Sequence, residues 1–178
     1  MIKVALFAAL VAVGSFIRIL IPVPFVTMPM TLQTLFVALS GIFLGPRLGP
    51  LSMTVYMAMG LAGLPIFSGG GGISYIFHPS FGFLLGFILG SYMSGKYLEN
   101  KKRTLKNTAA AVLLCLIGLY GLGVPCLWAN LNFIAGTKMS LPQAFKISCL
   151  VFLPGEAVKL VMATFLGSKV YSRLEERF

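Results

Sequence analysis

Apolar residues run along this chain in long, nearly unbroken stretches, and most of the charge falls in the breaks between them. Six stretches read as candidate membrane helices: 4–21, 31–44, 48–64, 80–97, 108–133 and 154–171. A spanning helix takes about 20 apolar residues. The second and third stretches are short for a full crossing, so they are expected to be partly broken or to sit in locally thinned bilayer. Strands of a membrane barrel would alternate apolar and polar residues in short segments, and these runs are continuous. The pattern therefore predicts an all-α integral membrane bundle of six transmembrane helices, forming a single domain over residues 1–178. No small-x-small cleavage site follows the first run, which leads into Pro22-Val23-Pro24, so it reads as a retained helix rather than a signal peptide.

Composition supports this. The chain is 58% hydrophobic and 10% charged, whereas a soluble domain carries about 25% charged residues. Lys and Arg number 14 against 4 acids, for a formal charge of +10. With the N-terminus inside, ten of the 14 basic residues fall on the inner side: Lys3, Arg47, Lys96, Lys101, Lys102, Arg103, Lys106, Lys169, Arg173 and Arg177. That asymmetry predicts cytoplasmic termini at both ends, and it accounts for the basic excess without nucleic acid. Cys115, Cys126 and Cys149 lie at no metal-ligand spacing, so neither a metal site nor a disulfide is expected.

The outer connections are apolar and rich in aromatics and proline, unlike ordinary solvent loops. They are 22–30, 63–79 and 135–152, the last with a short amphipathic helix capped by Ser140. Apolar loops must fold onto something, and they are expected to form the walls and lid of an outward-facing pocket. Gly69 to Gly72 lacks the phosphate-loop pattern and a following Lys, so its expected contribution is conformational freedom.

Charges inside apolar spans are costly and mark function. Glu156 and Lys159 stand at i, i+3 and share a helix face in the outer third of the membrane. A structural ion pair could be replaced by apolar residues at lower desolvation cost, which favours a ligand site with one acceptor beside one cation. Arg18 near the end of the first helix is expected to snorkel to the interface, with ligand contact as the other role. His78 is expected to cap or brace a loop, and Asn130 and Asn132 to satisfy the outer end of the fifth span. Gly82, Gly86, Gly90 and Ser94 form a small-residue ridge for close helix packing. Ala5 and Ala9, with Ala8 and Ala12, form two overlapping small-residue pairs on the first helix, open either to intramolecular packing or to docking of another membrane protein.

These residues carry a family resemblance. The segment from Pro22 through Pro29-Met30-Thr31-Leu32-Gln33-Thr34-Leu35 resembles the first-loop signature of the biotin-specific S components of energy-coupling factor transporters, the BioY family. Gly41 to Gly49, Tyr56 to Phe67, Gly82 to Phe87 and Pro154-Gly155-Glu156 with Lys159 continue it in order. Two positions depart: Glu156 stands where the family usually has Asp, and His78-Pro79-Ser80 replaces its Gly-Pro-Thr. The resemblance implies a capture subunit in the cell membrane, neither an enzyme nor dependent on a cofactor, that binds biotin from outside. Its implied partners are a transmembrane coupling subunit and two ATP-binding subunits. Glu156 would accept from the ureido edge, and Lys159 would donate to the ureido oxygen or the carboxylate. Phe25, Phe67, Ser74, Tyr75 and Phe83 would line the rest of the pocket. The resemblance also turns Ala5, Ala8, Ala9 and Ala12 toward docking of the coupling subunit. The alternatives are an S component for another vitamin, a membrane-embedded enzyme, against which no nucleophile–base or carboxylate pair is present, and an autonomous channel.

Overall fold

A computed structural model describes residues 1–23 and 26–175. Its elements are α1 (Ile2–Phe16), β1 (Arg18–Val23), β2 (Val26–Thr31), α2 (Gln33–Leu61), a short 3-10 helix (Ile73–Phe77), α3 (Phe81–Leu98), α4 (Leu105–Phe133) and α5 (Leu141–Glu175). The bundle is helical, as the apolar runs require. The expected all-α class is corrected at one point, because the first outer connection is an antiparallel β-hairpin with register Arg18↔Thr31 through Val23↔Val26. The first helix stops at Phe16, not at residue 21. The cause is local: Ile17, Ile19 and Ile21 are β-branched and Pro22 lacks an N–H, a combination that suits a two-stranded edge pairing better than a helix.

α2 covers two of the expected spans, and Gly45 breaks it with φ 77° and ψ −172°. That left-handed φ favours glycine, and Pro46 follows, where a helix has lost a backbone donor. The two arms fold back on each other. Gln33 Nε2 donates to the Tyr56 hydroxyl at 2.7 Å, whereas 23 residues of straight helix would separate them by about 35 Å. By length and apolarity α4 can cross a bilayer alone, and α5 can do so with its arms Leu141–Cys149 and Phe152–Tyr171, which meet at 52°. α2 passes the same test on its 29 residues, but its fold-back makes it two shorter limbs.

The small-residue ridge works within the chain. A Cβ on Gly86 would lie 2.5 Å from the Leu119 carbonyl oxygen, and one on Gly90 would lie 2.6 Å from that of Cys115, so α3 and α4 touch backbone to backbone. Ser94 instead meets Gly41 of α2. The other alanine stripe divides. Ala8 is fully buried in the core and Ala12 packs against it, while Ala5 and Ala9 are exposed. Ala8 is therefore unavailable to a docking partner, because α2 already covers it.

The α3–α4 connection, with Lys101, Lys102 and Arg103, lies at one end of the bundle. Arg103 Nε donates to the Ile42 carbonyl at 3.1 Å, and its guanidinium lies 3.8 Å from the Tyr171 ring centre. Gly95 abuts the turn at Gly45–Pro46. The β-hairpin, the 3-10 helix and the α4–α5 connection gather at the opposite end. There Asn130 donates to the Phe77 carbonyl, and Asn132 is bonded to Met139 through both its amide nitrogen and its oxygen.

Candidate functional site

The site is built where β2 runs into α2 and both face the second arm of α5. Glu156 and Lys159 lie one turn apart on that arm and are 8% and 6% exposed. Lys159 Nζ donates to Glu156 Oε1 at 2.5 Å, to Thr34 Oγ1 at 2.7 Å and to the Thr31 carbonyl at 2.9 Å. An ammonium has three protons, and all three are taken by the protein. The Thr34 hydroxyl also approaches Glu156 Oε1, at 3.3 Å. Glu156 Oε2 is different: it is buried and has no hydrogen-bond partner among the described residues. Leaving a charged acceptor in that condition costs more than the roughly 1–3 kcal/mol of a neutral one, so the arrangement favours a ligand that brings an N–H or O–H donor.

That oxygen belongs to a residue lining a cavity enclosed by β2, α2, α3, α4 and α5. Polar groups line one side: Thr31, Gln33, Thr34, Glu156 and Lys159, with Ser68 and Ser80 from the loop end. Aromatic and apolar side chains line the rest: Tyr75, Phe83, Phe87, Tyr120, Phe152, Met28 and Met30. Phe83 and Tyr120 meet edge to face at 5.9 Å. A mostly apolar chamber with a few convergent polar groups is the usual form of a small-molecule site.

The loop carrying Ser68 and Tyr75 owes its shape to Gly70 and Gly72, at φ 120° and 99°. Ser68 Oγ and the Tyr75 hydroxyl are 3.3 Å apart. Burial pushes the Tyr75 phenol up, so it stays protonated near neutrality. His78 stacks on Tyr75 at 4.6 Å, and its Nδ1 accepts from the Ser80 N–H at 3.2 Å. Burial pushes the His78 imidazole down, which suits that acceptor role.

Of the residues expected from sequence, Glu156, Lys159, Tyr75 and Phe83 line the chamber together. Phe67 stands behind its wall, packed on Tyr56 and Tyr75 at 5.5 and 4.6 Å. Ser74 is exposed on the short 3-10 helix and Phe25 lies outside the described residues. Arg18 is exposed at the start of β1 and lines a neighbouring groove instead. Sequence reasoning assigned no role to Thr31, Gln33, Thr34, Tyr120 or Phe152. The first three carried a signal, as three uncharged polar side chains entering an apolar helix; the last two carried none.

Residues 1–176 match the BioY family. A relative from Lysinibacillus sphaericus, named a probable biotin transporter BioY, is 37% identical over 172 residues, covering 96% of this chain and 86% of the relative. The biotin transporter BioY of Thermotoga maritima is 35% identical over 179 residues, covering 99% of this chain and 98% of the relative. Among solved structures, the S-component for biotin from an ECF-type ABC transporter is similar with a TM-score of 0.81 and 25% identity, covering 95% of this chain and 88% of that one.

Proposed function

The chain belongs to the BioY family, and from that premise we propose that it is the biotin-capture subunit of an uptake transporter, with Glu156 at the recognition point. It is a multi-pass membrane protein. The observation that carries the site is the buried Oε2 of Glu156, without a hydrogen-bond partner among the described residues, on a side chain that lines a chamber walled by aromatic rings. Biotin's ureido ring offers N–H donors for such an oxygen, and its thioether ring and tail are apolar enough for Tyr75, Phe83, Tyr120 and Phe152. Lys159 already donates three times, so its first effect is to hold the Glu156 carboxyl in place.

In this reading the chain crosses the bilayer six times, with the two limbs of α2 as separate crossings. The basic end and both termini face the cytoplasm, following the positive-inside rule. The chamber then opens outward, with residues 63–72 as its lid. The transmembrane coupling subunit and two ATPases complete the transporter, and the exposed Ala5 and Ala9 of α1 offer the coupling subunit a close helix contact.

Calorimetry of the purified protein with biotin tests the proposal directly. Tight binding that a desthiobiotin-like compound competes away is the expected outcome. A folded sample with no detectable binding at micromolar biotin overturns it.

A further inference from the structure

A chain of buried hydrogen bonds ties the floor of the chamber to its loop wall. Lys159 Nζ donates to the Thr31 carbonyl at 2.9 Å, and the Thr31 hydroxyl donates to Gln33 Oε1 at 3.0 Å. Gln33 Nε2 donates to the Tyr56 hydroxyl at 2.7 Å, and that hydroxyl donates to the Ile66 carbonyl at 2.9 Å. Lys159, Thr31 and Gln33 line the chamber, whereas Tyr56 does not. Tyr56 is 1% exposed, and its ring packs edge-on against Phe67 at 5.5 Å. Ring packing alone would be served by Phe. The hydroxyl does something else: it joins α2 to the loop two residues before Ser68, which lines the chamber and meets Tyr75. The loop is also held by the buried Phe67 ring, which packs over Gly60, and by the hydrogen bond from the Gly72 N–H to the Gly60 carbonyl, at 2.7 Å.

We propose that Tyr56, oriented by Gln33, is a positioning residue for ligand binding: its hydroxyl fixes Ile66 and thereby the Ser68–Tyr75 wall. This rests on the ligand site proposed above and adds to it a cause for the lid's resting position. A ligand that presses on Gln33 and a loop that hangs from Tyr56 share one hydrogen-bond chain, so each senses the other.

Tyr56→Phe keeps the ring and removes only the tie. With biotin as the probe, its dissociation should quicken by about tenfold, the equivalent of one lost hydrogen bond. In ligand-free protein, the Phe67, Gly70 and Gly72 amides should exchange with deuterium faster, while those of α3 and α4 exchange as in the parent. Gln33→Met, which leaves the Tyr56 hydroxyl without its donor, should loosen the same amides and guards against a Tyr56 variant that does not fold. A double-mutant cycle of Tyr56→Phe with Ser68→Ala should be non-additive for affinity, since both act through one wall. Unchanged loop exchange with unchanged dissociation in a folded variant overturns the proposal. So does a uniform rise in exchange across α3 and α4, the mark of a merely structural hydroxyl. If the parent itself fails to bind biotin, the ligand reading falls, and the ligand-free exchange comparison still decides whether Tyr56 holds the loop.

Discussion

Lys159 gives its three protons to the protein and Glu156 keeps one oxygen without a partner among the described residues, so the two charges play unequal parts. Removing either partner of a buried pair strands the other, at a cost of about 3–5 kcal/mol. Lys159→Ala should therefore lower the thermal midpoint as well as biotin affinity. The double variant Glu156→Gln with Lys159→Met removes both charges; it should recover much of the stability but not the binding. Thermal unfolding and calorimetry on the same samples separate the two effects, and a neutralised pair that binds biotin like the parent would refute the role of Glu156. His78 makes a second residue-scale prediction. Its folded pKa lies below 6.5 because burial disfavours the charged ring. As pH falls through 6.5 the unfolded chain takes a proton that the folded one refuses. Its contribution is thus intact above that value and is lost as pH falls through the folded pKa. His78→Asn, whose side-chain oxygen can still accept from the Ser80 N–H, should flatten the fall in thermal midpoint over that acid range. An equal fall in both proteins would count against it.

Helix contacts without side chains make α3 and α4 a rigid pair, and the glycines along them are not equivalent. A methyl on Gly86 meets the Leu119 backbone, which cannot rotate away, so Gly86→Ala should destabilise by about 1–3 kcal/mol. A methyl on Gly121 meets nothing within 4 Å. Gly121→Ala should stabilise the helix by about 0.5–1 kcal/mol, since Gly loses more backbone freedom than Ala on folding. Thermal midpoints moving in opposite directions support close packing at Gly86; a shared loss would contradict it. This ridge was legible in the sequence because its spacing of four is a surface pattern. The break at Gly45–Pro46 was legible because those two residues have few other uses mid-helix. The β-hairpin was not. In a uniformly apolar chain, hydropathy loses the contrast that separates a strand from a helix, and only the β-branched run 17–23 with Pro22 distinguished them.

The molecule as a whole has a basic end and a chamber end, and the sequence reached each by a different route. Charge sorting between spans made the basic end legible, since it depends on counting and not on contacts. Glu156 and Lys159 were legible because ionised groups are rare in such a chain. Thr31, Gln33 and Thr34 were legible only as polar positions entering an apolar run, and Tyr120 and Phe152 not at all, because only the convergence of β2, α2, α4 and α5 gives them a shared cavity. The same convergence decides which alanines of α1 remain open to a partner. α2 covers Ala8, whereas Ala5 and Ala9 point away from the core. If the coupling subunit docks on that exposed pair, a bulky residue there must separate capture from delivery. Ala9→Trp should bind biotin with parental affinity when purified. It should fail to support labelled-biotin uptake in cells that also make the coupling subunit and both ATPases. Ala8→Trp should instead fail at folding, because its side chain would enter a core packed against α2. Uptake by Ala9→Trp at the parental rate would remove the exposed face of α1 from the docking surface and turn the search to the other lipid-facing helices.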